Sequence, residues 1–101
     1  MRAIMSLLCA AAFVAAAQPA RAADGAAVYK DNCNRCHGDD GKGDTPVGKA
    51  MKVKPIAGTT LAAEAIAKYV TESDKHKQVA AKLSPAQLEA VGKYVLDTYG
   101  N

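Results

Sequence analysis

The sequence is poor in reactive side chains. It holds two histidines, His37 and His76, and three cysteines, Cys9, Cys33 and Cys36. No second cysteine pair accompanies Cys33 and Cys36, so a four-thiolate zinc site is excluded. There is no arginine cluster, and the lysines are interleaved with acids, which argues against a nucleic-acid or strongly basic membrane-binding surface. No stretch reads as a β-strand, no segment repeats, and no low-complexity linker divides the chain. The apolar run over residues 4–17 is too short and too alanine-rich for a membrane span. Nothing resembles the paired acids, bases and nucleophiles of an enzyme, so no catalytic residues are expected.

What is present begins with a leader. Met1 and Arg2 give a short positive start, an apolar run follows, and Ala20-Arg21-Ala22 fits a small-residue cleavage site. This pattern predicts a secretory signal over residues 1–22 and a domain over 23–101. Cys9 follows Leu8 and lies too early to suit a lipid-anchored cysteine. Cleavage would leave 79 residues with eleven basic and ten acidic side chains, a near-neutral domain. A domain this small usually needs a disulfide, a metal or a cofactor to complete its core. Stable membrane insertion after cleavage is not expected.

Three helical stretches stand out. The first covers about residues 24–36, with Asp24 as N-cap and Tyr29, Cys33 and Cys36 on one face. The second covers about residues 61–73, with Thr60 as the cap and Ile66, Tyr69 and Val70 on one face. The third opens at Ser84-Pro85-Ala86-Gln87, an N-cap, a first-turn proline and a capping-box glutamine. Leu88, Val91 and Val95 form its apolar stripe, and Gly100 is placed to end it in a left-handed conformation. Between the first two helices lies a loop over residues 38–59, rich in glycine with Pro46 and Pro55. Loops of that length are usually functional or wrapped around something. The fold class is all-α.

Cys33-Asn34-Arg35-Cys36-His37 carries the chemistry. On a helical turn, positions i, i+3 and i+4 face the same way, so two thiols and an imidazole can meet one flat ligand. The spacing is that of c-type haem attachment, with Cys33 and Cys36 as thioether links and His37 on the iron. A thioredoxin-like dithiol would need strands that are absent, and half a zinc site would need further thiolates. A plain disulfide in an exported protein is the remaining alternative. One covalent haem c, with its iron, is therefore the expected cofactor, and it would supply much of the missing core.

Here the chain resembles the small bacterial class I c-type cytochromes, which carry one haem. The resemblance runs through Gly25 and Tyr29 into the Cys33–His37 motif, then Gly38-Asp39-Asp40-Gly41-Lys42-Gly43, and ends at Lys82-Leu83-Ser84 and a last helix with Tyr94 and Val95. It implies about three main helices wrapped around one covalently bound haem. It implies that the first and last helices cross closely, a glycine against an aromatic ring, here Gly25 and Tyr94. It also implies that a loop proline carbonyl accepts a hydrogen bond from the proximal histidine, for which Pro46 is the candidate.

The departure from the family lies at the second axial ligand. The family places a methionine between the middle and last helices, and residues 72–82 contain none. They contain His76, seven residues before Leu83, at about the family's ligand distance. The resemblance thus implies a His37/His76 pair. Met51, the one methionine after the leader, is the alternative ligand, and it also suits a gap-filling role in the core. A lysine such as Lys75 or Lys77, or an open iron, completes the possibilities.

The expected role is periplasmic one-electron transfer by a monomeric carrier with transient redox partners. Lys42, Lys49, Lys52 and Lys54 flank the loop and are candidates for steering an acidic partner. A His/Met pair raises the haem potential, and a second imidazole should lower it. Two other readings stand beside this one. One is a haem protein with an open distal site for small-ligand binding, sensing or weak peroxidase activity. The other is a subunit of a larger respiratory complex.

Overall fold

The computed structural model describes residues 24–101; the leader and Cys9 lie outside the described residues. Helix α1 spans Gly25–Asn32, and Asp24 caps it by accepting a hydrogen bond from the Ala26 amide at 3.0 Å. The first helix is shorter than its apolar period suggested. It breaks at Cys33 (φ −114°, ψ −32°) and resumes as the single turn α2, Asn34–His37. The break re-aims the two cysteines and His37 relative to α1.

Gly38 ends α2 at φ +78°, a conformation that costs a side chain bearing Cβ but not glycine. The following loop is more ordered than its composition implies. Thr45 and Pro46 open a short helix, α3, over Pro46–Ala50, with Thr45 Oγ1 accepting from the Gly48 amide at 2.9 Å. The same hydroxyl donates to the Arg35 and Cys36 carbonyls at 2.6 and 3.2 Å, which ties α3 to α2. Further on, the Ile56 amide donates to the Gly41 carbonyl, and the Gly58 amide donates to the Tyr99 carbonyl. The loop is thereby fastened to the end of the last helix.

Helix α4, Ala63–Glu72, starts two residues later than expected. Its N-cap is Ala62, with no side-chain cap, so Thr60 does not cap it. A 3₁₀ turn over Asp74–His76 and a single turn, α5, over Lys77–Ala80 follow. Helix α6, Pro85–Tyr99, has the full capping box: Ser84 Oγ accepts from the Gln87 amide, and Gln87 Oε1 accepts from the Ser84 amide. It ends at Gly100 with an extended backbone (φ −67°, ψ 157°), not the left-handed one expected. Among the described residues no strand occurs, and no helix is long and apolar enough to cross a membrane.

Helices α1 and α4 both pack on α6. Val28 and Tyr29 of α1, Ile66 of α4, and Val91 and Val95 of α6 form the buried apolar core. Two glycines set the crossings. A Cβ on Gly25 would overlap the Ala90 carbonyl oxygen and Tyr94 Cβ, and one on Gly92 would overlap the Ala63 carbonyl oxygen. Gly25 therefore faces Tyr94, as the resemblance implied. Tyr29 also meets the rings of Tyr94 and Tyr99, with centres 5.5 and 5.2 Å apart. Its hydroxyl donates to the Gly38 carbonyl at 2.5 Å, and the Tyr99 hydroxyl donates to the Asp39 carbonyl at 2.6 Å. These bonds link the core to the segment that follows His37.

Candidate haem-binding site

A cavity of about 730 Å³ opens between α1, α4, α6 and the loop. Four of the five core side chains, Tyr29, Ile66, Val91 and Val95, form its inner wall. Cys33, Cys36 and His37 line one side; Met51 and residues 52–59 line the loop side. Tyr69, Val70 and the 73–76 segment close the far side. The size and the apolar wall with a few polar groups suit a large organic ligand. The first and last helices both contribute, and α4 contributes as well.

The structure brings Cys33, Cys36, His37, His76, Met51 and Lys75 together around the cavity; Lys77 lies outside it, exposed and paired with Asp74. Cys33 and Cys36 are not joined as a disulfide. Burial, with a smaller effect of Cys36, pushes the Cys33 thiol up to about 11, so the free thiol is held protonated at neutral pH. His37 and His76 face each other across the cavity, with ring centres 6.2 Å apart and planes within 3°. Burial lowers the pKa of both imidazoles. The neighbouring His76 adds to the effect at His37, and Lys75 adds to it at His76. Both rings are therefore biased toward the neutral form that binds a metal.

Each Nδ1 is buried without a hydrogen-bond partner. The absent Nδ1 bond at His37 corrects the expectation for Pro46. Pro46 opens α3, and its carbonyl is directed along that helix rather than toward the imidazole. Met51 also lines the cavity but is 44% exposed at the end of α3. Its carbonyl accepts a long contact, 3.5 Å, from Lys75 Nζ. Of the four lysines named from the sequence, Lys52 and Lys54 line the cavity, and Lys42 and Lys49 do not; Lys75 joins the rim instead. Tyr69, placed only on an apolar helix face by its spacing, meets His76 edge-on at 5.8 Å and 68°.

The donor set fits a haem: two thiols and an imidazole from one helical turn, a second neutral imidazole opposite, and an apolar wall between. Among the described residues no three His, Cys, Asp or Glu side chains gather as a site for a lone metal ion. A family model described as "Cytochrome C oxidase, cbb3-type, subunit III" matches residues 20–95. The chain belongs to this family of c-type cytochrome domains. It is thus a small c-type cytochrome of all-α fold that binds haem and serves electron transfer. No curated protein and no solved structure gives a significant match.

Proposed function

We propose that this cytochrome is a periplasmic one-electron carrier with a single haem c, held by thioethers at Cys33 and Cys36 and ligated by His37 and His76. The observation that carries the reading is the paired imidazoles. An imidazole nitrogen binds a divalent first-row metal ion at about 2.0 Å, so two such rings on opposite sides of one ion have centres roughly 6.3 Å apart. The His37 and His76 centres are 6.2 Å apart, with their planes parallel. The lowered pKa values of both rings support the same pairing.

When bound, the haem iron supplies a one-electron couple. The chain's own residues would hold that group and shield it from water. Tyr29, Ile66, Val91 and Val95 exclude water from the inner face. His37 and His76 would hold the iron from opposite sides in either charge state, so little would rearrange when the charge changes. Met51 serves as a cavity-lining side chain, not a ligand. Lys52, Lys54 and Lys75 border the mouth and favour a transient partner with an acidic face. Export rests on the leader pattern of residues 1–22.

The test is the absorption of the oxidised protein and two variants. The native protein and Met51→Leu should both be low-spin, without the weak far-red sulfur-to-iron band. His76→Ala should become high-spin and, once reduced, bind carbon monoxide rapidly. A far-red band that Met51→Leu abolishes would assign the ligand to Met51. Rapid carbon monoxide binding by the reduced native protein would favour a ligand-binding role. Gel filtration of a native extract separates a free carrier from a subunit of a complex.

A further inference from the structure

A histidine that binds a metal is ordinarily oriented by a hydrogen bond from its other ring nitrogen. Here Nδ1 of His37 and Nδ1 of His76 are both buried without such a partner. Rotation of each ring about its iron-directed axis is then limited by packing alone. His76 sits in the 3₁₀ turn after α4, seven residues beyond Tyr69 and folded back over it. The Tyr69 ring meets the imidazole edge-on, centres 5.8 Å apart at 68°, within the range of favourable aromatic pairs. The His76 plane lies within 3° of the His37 plane.

We propose that Tyr69 is a positioning residue that fixes the His76 ring parallel to the His37 ring. The proposal rests on the ligand pair given above. Its consequence is electronic. Each imidazole donates π density into the iron d orbital perpendicular to its own plane. Parallel rings load the same orbital and separate it in energy from its partner. Crossed rings load one orbital each and leave the two nearly degenerate. Parallel rings therefore give a rhombic low-spin paramagnetic resonance spectrum with three resolved features. Crossed rings give a strongly anisotropic spectrum dominated by one low-field feature.

The experiment is low-temperature electron paramagnetic resonance of the oxidised holoprotein, with Tyr69→Phe, Tyr69→Leu, Tyr69→Ala and His76→Ala beside it. Tyr69 is 59% exposed, so these substitutions spare the core. The native protein and Tyr69→Phe should give superimposable rhombic spectra, because the contact is made by the ring and not the hydroxyl. Tyr69→Leu and Tyr69→Ala should shift the largest g-value upward. A native spectrum with the single low-field feature overturns the proposal, as does a rhombic spectrum kept unchanged in both Leu and Ala variants. A His76→Ala spectrum identical to the native one would remove the ligand pair itself, and this proposal with it. That outcome is distinct from failure of the Tyr69 variants alone.

Discussion

Gly25→Ala tests the helix crossing on which the cavity depends. The added methyl would overlap the Ala90 carbonyl oxygen and lie 2.7 Å from Tyr94 Cβ and 2.8 Å from the Ala90 carbonyl carbon. Carbon atoms pack at about 3.5–4.0 Å, so α1 and α6 would have to part by roughly 1 Å. No rotamer change relieves this, because the obstacles are backbone atoms and a Cβ. The gap would loosen Val28 and Tyr29 against Val91 and Val95. Overpacking of this kind costs about 3 kcal/mol at the upper end of its usual range. Alanine's better helix propensity offsets about 1 kcal/mol. The net loss, about 2 kcal/mol, lowers the Tm of a domain this size by roughly 8–16 °C. The assay is thermal unfolding of the oxidised holoprotein, followed by far-ultraviolet circular dichroism and haem absorption. Tyr94→Ala in the same chain should not restore stability, since Cβ and the Ala90 carbonyl remain. A variant as stable as the native protein, or more so, would show that the helices do not cross here, and the reasoning fails.

The remaining predictions concern the site and its supports. His76→Met should keep a low-spin haem and raise the potential, measured by redox titration, because thioether sulfur favours the ferrous state relative to imidazole. Oxidation of the reduced protein by ferricyanide, an anionic probe, should slow as salt is added. A Lys52→Glu, Lys54→Glu, Lys75→Glu variant should lose that dependence and react on the order of 10-fold more slowly at low salt. Burial holds the phenols of Tyr29 and Tyr99 above their ordinary value of 10.0. The unfolded chain then loses those protons first, so their contribution to stability is whole below about pH 10 and declines as pH rises beyond it. Melting temperatures taken from pH 8 to 11 should fall above 10, and less steeply in Tyr29→Phe. Thr45→Ala should destabilise by about 1 kcal/mol in denaturant titrations, since it removes the cap of α3 and two bonds to α2.

Local signals in the sequence carried the ends of the fold. Ser84, Pro85 and Gln87 are a self-contained capping box, so the start of α6 was legible without the rest of the molecule. The Cys33–His37 spacing likewise encodes its own geometry within one turn. The middle of the chain was less legible because long-range contacts organise it. Gly41 takes a positive φ where a Cβ would press on Ile56 and Tyr99 at 3.0 Å, and Tyr99 lies 58 residues further along the chain. Lys52 adopts φ +55°, a left-handed conformation that no local rule assigns to lysine. The α3 helix does have a local signal, Thr45 followed by Pro46, within a stretch whose glycine content points to a loop. The family resemblance makes Pro46 a candidate partner of His37, but its place in the first helical turn sends the carbonyl elsewhere. The pairing of His37 with His76 was legible only through the family register. The packing of Tyr69 on His76 was not, since a 3₁₀ turn has no periodicity of its own.

Most of the core side chains also face the cavity, which has a consequence for the protein's life in the cell. The packed side of Tyr29, Ile66, Val91 and Val95 meets protein, while the other side meets the cofactor's space. A newly made chain that has not met its haem is half a shell, open to housekeeping proteases. Haem binding then acts as a checkpoint: it converts a degradable polypeptide into a long-lived one. The steady-state amount of this cytochrome should therefore track haem supply more closely than its own rate of synthesis.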